Sequence, residues 1–180
     1  GNFDEAQPFL DQHVKEYPES KLIMHSEYFQ SSNLTRQQYW ERAAKLLDVF
    51  LSKYPEPGTN IYMPNALYDR ANCHFAESEY DPALVILNRI ENEFSSSAVI
   101  DMTYNMKGNI FESRAEYDDA EIYYILALNT AERGENSVVA GEALSYLIGM
   151  LGAETLGKKK APNPRIKDAV PYYDKFLKEY

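Results

Sequence analysis

The chain of 180 residues has a single cysteine, so no internal disulfide can form and the redox state of its compartment leaves no mark in the sequence. That residue, in Asn72-Cys73-His74-Phe75, has no CxxC spacing and reads as a small buried helix residue, not a reactive thiol. Glycine is scarce, with 8 residues and no run among them, which removes the phosphate-cradling loops that nucleotide sites need. The three histidines, His13, His25 and His74, lie far apart, and side chains on the neighbours Cys73 and His74 of a helix diverge by about 100°, a poor chelate. No apolar stretch approaches the ~20 residues of a membrane span. Basic residues are outnumbered 18 to 28, and the formal charge of −10 repels phosphate backbones, so nucleic acid is excluded as a partner. Nucleophile-elbow and zinc-protease motifs do not occur, and the carboxylates Glu112, Glu116, Asp118, Asp119 and Glu121 cluster around a polar turn that reads as solvated surface. The expectation is a protein that is not an enzyme and takes no cofactor and no metal.

What remains is 44% hydrophobic and 26% charged, the make-up of a folded protein, with 15 tyrosines. The tyrosines belong to a repeat. Phe3-Asp4-Glu5-Ala6-(x3)-Leu10-(x6)-Tyr17-Pro18 returns as Trp40-Glu41-Arg42-Ala43-(x3)-Leu47-(x6)-Tyr54-Pro55. Further copies run Tyr80-(x2)-Ala83-(x3)-Leu87-(x6)-Phe94, Tyr117-(x2)-Ala120-(x3)-Tyr124-(x6)-Ala131 and Ile166-(x2)-Ala169-(x3)-Tyr173-(x6)-Tyr180. The spacing i, i+3, i+7 lays these residues on one helical face, with alanine where two helices approach closely. Pro18 and Pro55 stop their helices, and second helical stretches are predicted at about 20–32, 62–77, 98–114 and 138–156. Pro8 and Pro171 stand two residues after the repeat alanine, which predicts that those helices start late or bend.

These residues resemble the tetratricopeptide repeat (TPR) family, whose unit is a hairpin of a helix A and a helix B. Ala71, Tyr80, Ala83 and Leu87, then Gly108, Tyr117, Ala120, Tyr124 and Ala127, stand where that family places its small residue on helix A, its aromatic at the turn and its small and large residues on helix B. The resemblance implies an all-α fold, a right-handed α-solenoid of about five TPR-like hairpins forming one repeat domain over 1–180. It places Tyr17, Tyr54, Tyr80, Tyr117, Tyr124 and Tyr173 at packed repeat positions. Ser95 and Glu132 replace the helix-ending proline, and copies are separated by 37, 40, 37 and 49 residues. The longest separation requires an insertion, and the Gly- and Pro-punctuated run Leu156-Gly157-Lys158-Lys159-Lys160-Ala161-Pro162-Asn163-Pro164 marks a basic loop there. Its lysines Lys158–Lys160 read as a solvated connection, with docking on an acidic partner or an anionic lipid as the alternative.

The first copy is a helix B without its helix A, so the chain reads as a segment of a longer array, with apolar surface on the first helix free for a homodimer. The Tyr17-Pro18-Glu19-Ser20 ending is similar to divergent repeats of bacterial cell-envelope assembly lipoproteins and division coordinators, which favours the periplasm or envelope over the cytoplasm. In the resembling family, helix-A residues off the core line a concave surface. Carried onto this chain, these are Asn65, Tyr68, Asn72, Phe75 and Ala76, then Met102, Asn105, Asn109, Glu112 and Ser113. Asn72 and Asn109 are equivalent, and asparagine there can clamp an extended peptide. The expected function is therefore a non-catalytic module that binds a peptide or partner protein; the alternative is a scaffold or spacer in a bacterial cell-envelope assembly, self-associating. Asn33-Leu34-Thr35 also fits a glycosylation acceptor.

Overall fold

The structure is a computed structural model that describes residues 3–152 and 166–179. The described residues form only helices: α1 (Phe3–Glu16), α2 (Ile23–Arg36), α3 (Trp40–Lys53), α4 (Met63–Ala76), α5 (Tyr80–Glu93), α6 (Ile100–Ser113), α7 (Tyr117–Arg133), α8 (Ser137–Gly152) and α9 (Ile166–Glu179). They fall into two compact units, Gly1–Ser97 with α1 to α5 and Ala98–Tyr180 with α6 to α9. The basic loop at 156–164 lies outside the described residues.

Each odd-numbered helix begins on the first residue of a repeat copy, so the sequence period and the structural period coincide. In the first unit α2 packs against α1, α3 and α4, and α4 against α3 and α5; in the second, α7 packs on α6 and α8, and α8 on α6 and α9. The inner helices of each unit thus hide apolar residues against their chain neighbours, and the core of each unit is a set of thin seams.

One turn is used four times. After α2, α4, α6 and α7 comes a residue with positive φ: Gln38 at 63°, Ser78 at 60°, Ala115 at 59° and Glu135 at 56°. The N–H groups of Gln38 and Tyr39 donate to the carbonyls of Thr35 and Leu34, and the same crossed pair recurs after the other three helices. This closes the last carbonyls of the helix, an arrangement in which glycine is the usual residue at the left-handed position. No glycine is used there; Gly134 sits one residue before it with φ −89°.

The seams depend on size matching. Ala83, Leu87 and Ile90 of α5, and Ala120, Tyr124 and Ala127 of α7, are wholly buried. At Gly108 on α6 a β-carbon would lie 2.5 Å from Cδ1 and Cε1 of Tyr124. The corresponding pair one repeat earlier is Ala71 and Leu87, where a smaller partner leaves room for a methyl group.

Several expectations from sequence need correction. Pro8 and Pro171 stand inside continuous 14-residue helices, neither of which starts late. Each proline is exposed, and the carbonyls it leaves unbonded belong to the exposed residues Asp4 and Lys167, which water can satisfy. Tyr17, Tyr117 and Tyr173 are each more than half exposed, Tyr17 just past the end of α1 and Tyr117 at the first residue of α7, so they are not packed positions among the described residues. Where Glu132 replaces the helix-ending proline, α7 runs on to 17 residues, consistent with the longer spacing there.

Two predictions test the seams and turns. Gly108→Ala is expected to destabilise by about 1–3 kcal/mol in denaturant unfolding although alanine is the better helix former, and Gly108→Ala with Tyr124→Leu to recover most of the loss. Ala115→Gly, at an exposed left-handed position, is expected to stabilise by about 0.5–1 kcal/mol; a lower melting temperature would contradict the turn assignment.

Candidate functional site

In the first unit the α4 face is built on one helical stripe. Asn65, Tyr68 and Asn72 follow i, i+3, i+7 and are half-buried. Ala66, Leu67, Ala71 and Cys73 on the other faces are buried and hold α4 against its neighbours. Asn65 and Asn72 make no side-chain hydrogen bond among the described residues, so their amides can take a ligand's backbone groups. Phe75, half-buried, turns towards Tyr80 with ring centroids 5.9 Å apart, and so serves the α4–α5 turn.

Next to this stripe, α2 and α4 enclose an aromatic and acidic cluster. The rings of Tyr28 and Tyr62 stack at 4.4 Å, and Phe29 meets Tyr62 edge-on at 5.5 Å. The Tyr28 hydroxyl donates to Asp69 Oδ2 at 3.4 Å. Burial pushes the Asp69 carboxyl up to about 6, against the opposing pulls of Ser32, Arg36 and Tyr28. Burial, then the Asp69 charge, pushes Tyr28 up to about 12. A cleft of about 530 Å³ opens beside it between α1 and α2, walled by Phe9 and Leu10 on one side and Tyr28 and Phe29 on the other.

In the second unit the equivalent stripe on α6 is partly engaged by the fold, through the Asn105 amide and the Asn109 amide oxygen. Met102 is half-buried against the core. Asn105 is buried, its amide donating to Glu142 Oε2 at 3.3 Å. The Tyr124 hydroxyl stands 2.7 Å from Asn109 Oδ1 and 2.6 Å from Glu112 Oε2 and shares its one proton between these two acceptors. Burial, with Glu112 as acceptor and neighbouring charge, raises the Tyr124 phenol far above its ordinary value, so it stays a donor. Asn72 and Asn109 are therefore equivalent in sequence and unlike in commitment. The cause is the larger residue at the Leu87 position, whose hydroxyl reaches through to the α6 face. Glu112, read from sequence as solvated, is likewise drawn into this network.

Sequence reasoning missed Asp69, Phe29 and Arg36, none of which occupies a repeat position. It also missed Lys107, buried at 2% exposure with Nζ 4.3 Å from the Tyr123 ring centroid. Asn33 is no glycan acceptor: it is buried inside α2, and its amide donates to Gln7 Oε1 at 2.6 Å. Cys73 is buried and its thiol pushed up to about 11 by desolvation, the state of an inert thiol. His74 sits 2.6 Å from Glu79, and among the described residues no three His, Cys, Asp or Glu side chains converge on a point.

Because the folded state raises the Asp69 pKa, its contribution is fully present while the carboxyl is protonated in both states and is lost as pH climbs from about 4 through about 6. The stability difference between the wild type and Asp69→Asn should shift by on the order of 2 kcal/mol over that window, in favour of Asp69→Asn at higher pH. Parallel stability curves for the two proteins between pH 4 and 7 would contradict the burial of the charge.

No protein-family model matches the chain, and no curated protein is significantly similar to it.

Proposed function

We propose that this chain is a TPR-like array, a right-handed solenoid of about five helical hairpins, and that it acts as a non-catalytic module binding a peptide or partner protein on its helix-A face. The observation that carries the reading is the pair Asn65 and Asn72 on α4, half-exposed, one on each side of Tyr68, with amides not spent on the fold. Two such amides about 10 Å apart along a helix suit the repeat of an extended backbone, and Tyr68 between them offers a flat apolar surface. The acidic chain favours a neutral or basic ligand. A second reading, a self-associating scaffold in a bacterial cell-envelope assembly, is supported by the apolar side chains Phe9 and Tyr17 that α1 leaves in water.

Selection from a random peptide library followed by calorimetry tests the groove. Asn72→Ala is expected to weaken the selected peptides at least about tenfold and Asn109→Ala less than about twofold, since Asn109 is already bonded to Tyr124. Equal losses at the two positions, or none at either, would contradict the assignment.

A further inference from the structure

Where α8 meets α6 in the second unit, hydrogen-bond acceptors outnumber donors. Asn105 is 6% exposed; its amide nitrogen donates to Glu142 Oε2 on α8, but its amide oxygen, wholly buried, meets no donor among the described residues. Reversing that amide would set the oxygen against the carboxylate, so the shortage does not come from the way the amide is turned. On the same α6 stripe Asn109 Oδ1 and Glu112 Oε2 have one hydroxyl proton between them. Neither Glu112 nor Glu142 has an ion-pair partner among the described residues. A buried amide oxygen without a donor is costly, and it stands here beside two unpaired carboxylates.

The described cations of the unit are placed elsewhere. Glu142 is the one charged residue of α8. Lys107 of α6 is two residues from Asn105, about 200° round the helix, with Nζ over the Tyr123 ring. Arg114 stands at the C-terminal cap of α6, and the side chains that act on the Tyr124 hydroxyl are Glu112 and Tyr146, with no cation among them. Arg133 of α7 turns back onto the Asn129 carbonyl, and Lys175 of α9 pairs with Glu132. The exposed Lys167 and Lys178 of α9 are outnumbered on their own helix by Asp168, Asp174 and Glu179.

The spacing and the width of the strip restrict what can answer these charges. Glu142 meets α6 at Asn105, and Glu112 stands seven residues further along that helix (105 to 112), about 10 Å. A metal ion needs its oxygen ligands within about 2.6 Å, so one ion does not serve both. Between them lies Tyr146, one turn after Glu142 and 38% exposed, its ring stacked on that of Tyr124 with centroids 5.2 Å apart. The α8 position equivalent to Glu112 is Gly149, exposed, where a β-carbon would touch nothing within 4 Å. The space left there is that of one absent side chain, which suits a slender aliphatic chain and not a helix or a strand.

We propose that the α6–α8 strip binds a linear polyamine, a thin chain with ammonium groups about 10 Å apart. One ammonium pairs with Glu142 and donates to the Asn105 amide oxygen; the aliphatic chain lies along Tyr146; the second ammonium pairs with Glu112. An ammonium brings three donors and no acceptor, which is what a site with surplus acceptors requires. The site lies wholly on α6 and α8 and stands without the peptide-binding face on α4.

Calorimetry on the full chain at about 0.15 M salt, where diffuse attraction to the acidic surface is screened, tests this. Spermidine is expected to bind at a single site, and putrescine, too short to reach both carboxylates, at least about tenfold more weakly. Glu142→Gln and Glu112→Gln, which keep the shape and remove the charge, should each weaken spermidine about tenfold, with circular-dichroism melts verifying folding. Glu56→Gln, which removes the same charge from an exposed turn of the first unit, and Asn72→Ala on the α4 face should each change it less than about twofold. The Asn105 side-chain amide resonance should shift on adding spermidine. No spermidine binding, equal affinity for the two amines, or a loss in Glu56→Gln as large as in Glu142→Gln overturns the proposal, as does a dibasic peptide that binds through Glu142 while spermidine does not.

Discussion

The structure depends on how closely consecutive helices approach, and that approach is set by matching a small residue on one helix to a large one on the next. Where α6 carries Gly108, a full tyrosine, Tyr124, lies flat against its backbone; where α4 carries Ala71, the equivalent residue is Leu87. Alanines at 43, 83 and 120, none with any exposed surface, keep the remaining seams narrow. Thin seams of this kind contain few layers, so each buried side chain matters more than it would in a deep core, and a misfit at one seam is not diluted by the others.

The same substitution that fits the seam alters the surface. Leucine at position 87 ends inside its seam, but Tyr124 carries a hydroxyl that must find an acceptor when buried, and it finds Asn109 and Glu112 on the neighbouring helix. A packing choice in α7 thus decides which polar groups on α6 are bonded within the fold. On α4 no hydroxyl arrives, and Asn65 and Asn72 keep their hydrogen-bonding capacity. Asp69 sets a different boundary: held among Tyr28, Ser32 and Arg36, it ties α2 to α4 and its burial pushes the carboxyl up to about 6, so it belongs to the support of the face and not to its solvated rim.

Much of this was legible in the sequence, for a physical reason. A helical seam imposes the spacing i, i+3, i+7 and a small residue at each crossing, and both survive divergence; hence Trp40, Tyr80 and Tyr117 marked helix starts to the residue. The four turns were less legible, because Gln38, Ser78, Ala115 and Glu135 accept a left-handed conformation without the glycine that usually announces it. Tyr17, Tyr117 and Tyr173 share the repeat pattern of buried tyrosines yet lie in water, since periodicity gives the face of a helix and not whether another helix covers it. The difference between Asn72 and Asn109 required knowing where the Tyr124 hydroxyl points, which no spacing encodes.

The central claim is that the amides on the α4 stripe are unbonded among the described residues, whereas on the equivalent stripe of α6 the Asn105 amide and the Asn109 amide oxygen are bonded within the fold. Side-chain amide resonances report this directly: on saturation with a peptide ligand, those of Asn65 and Asn72 should shift while those of Asn105 and Asn109 keep their positions. Shifts at Asn109 with none at Asn72 would contradict the account.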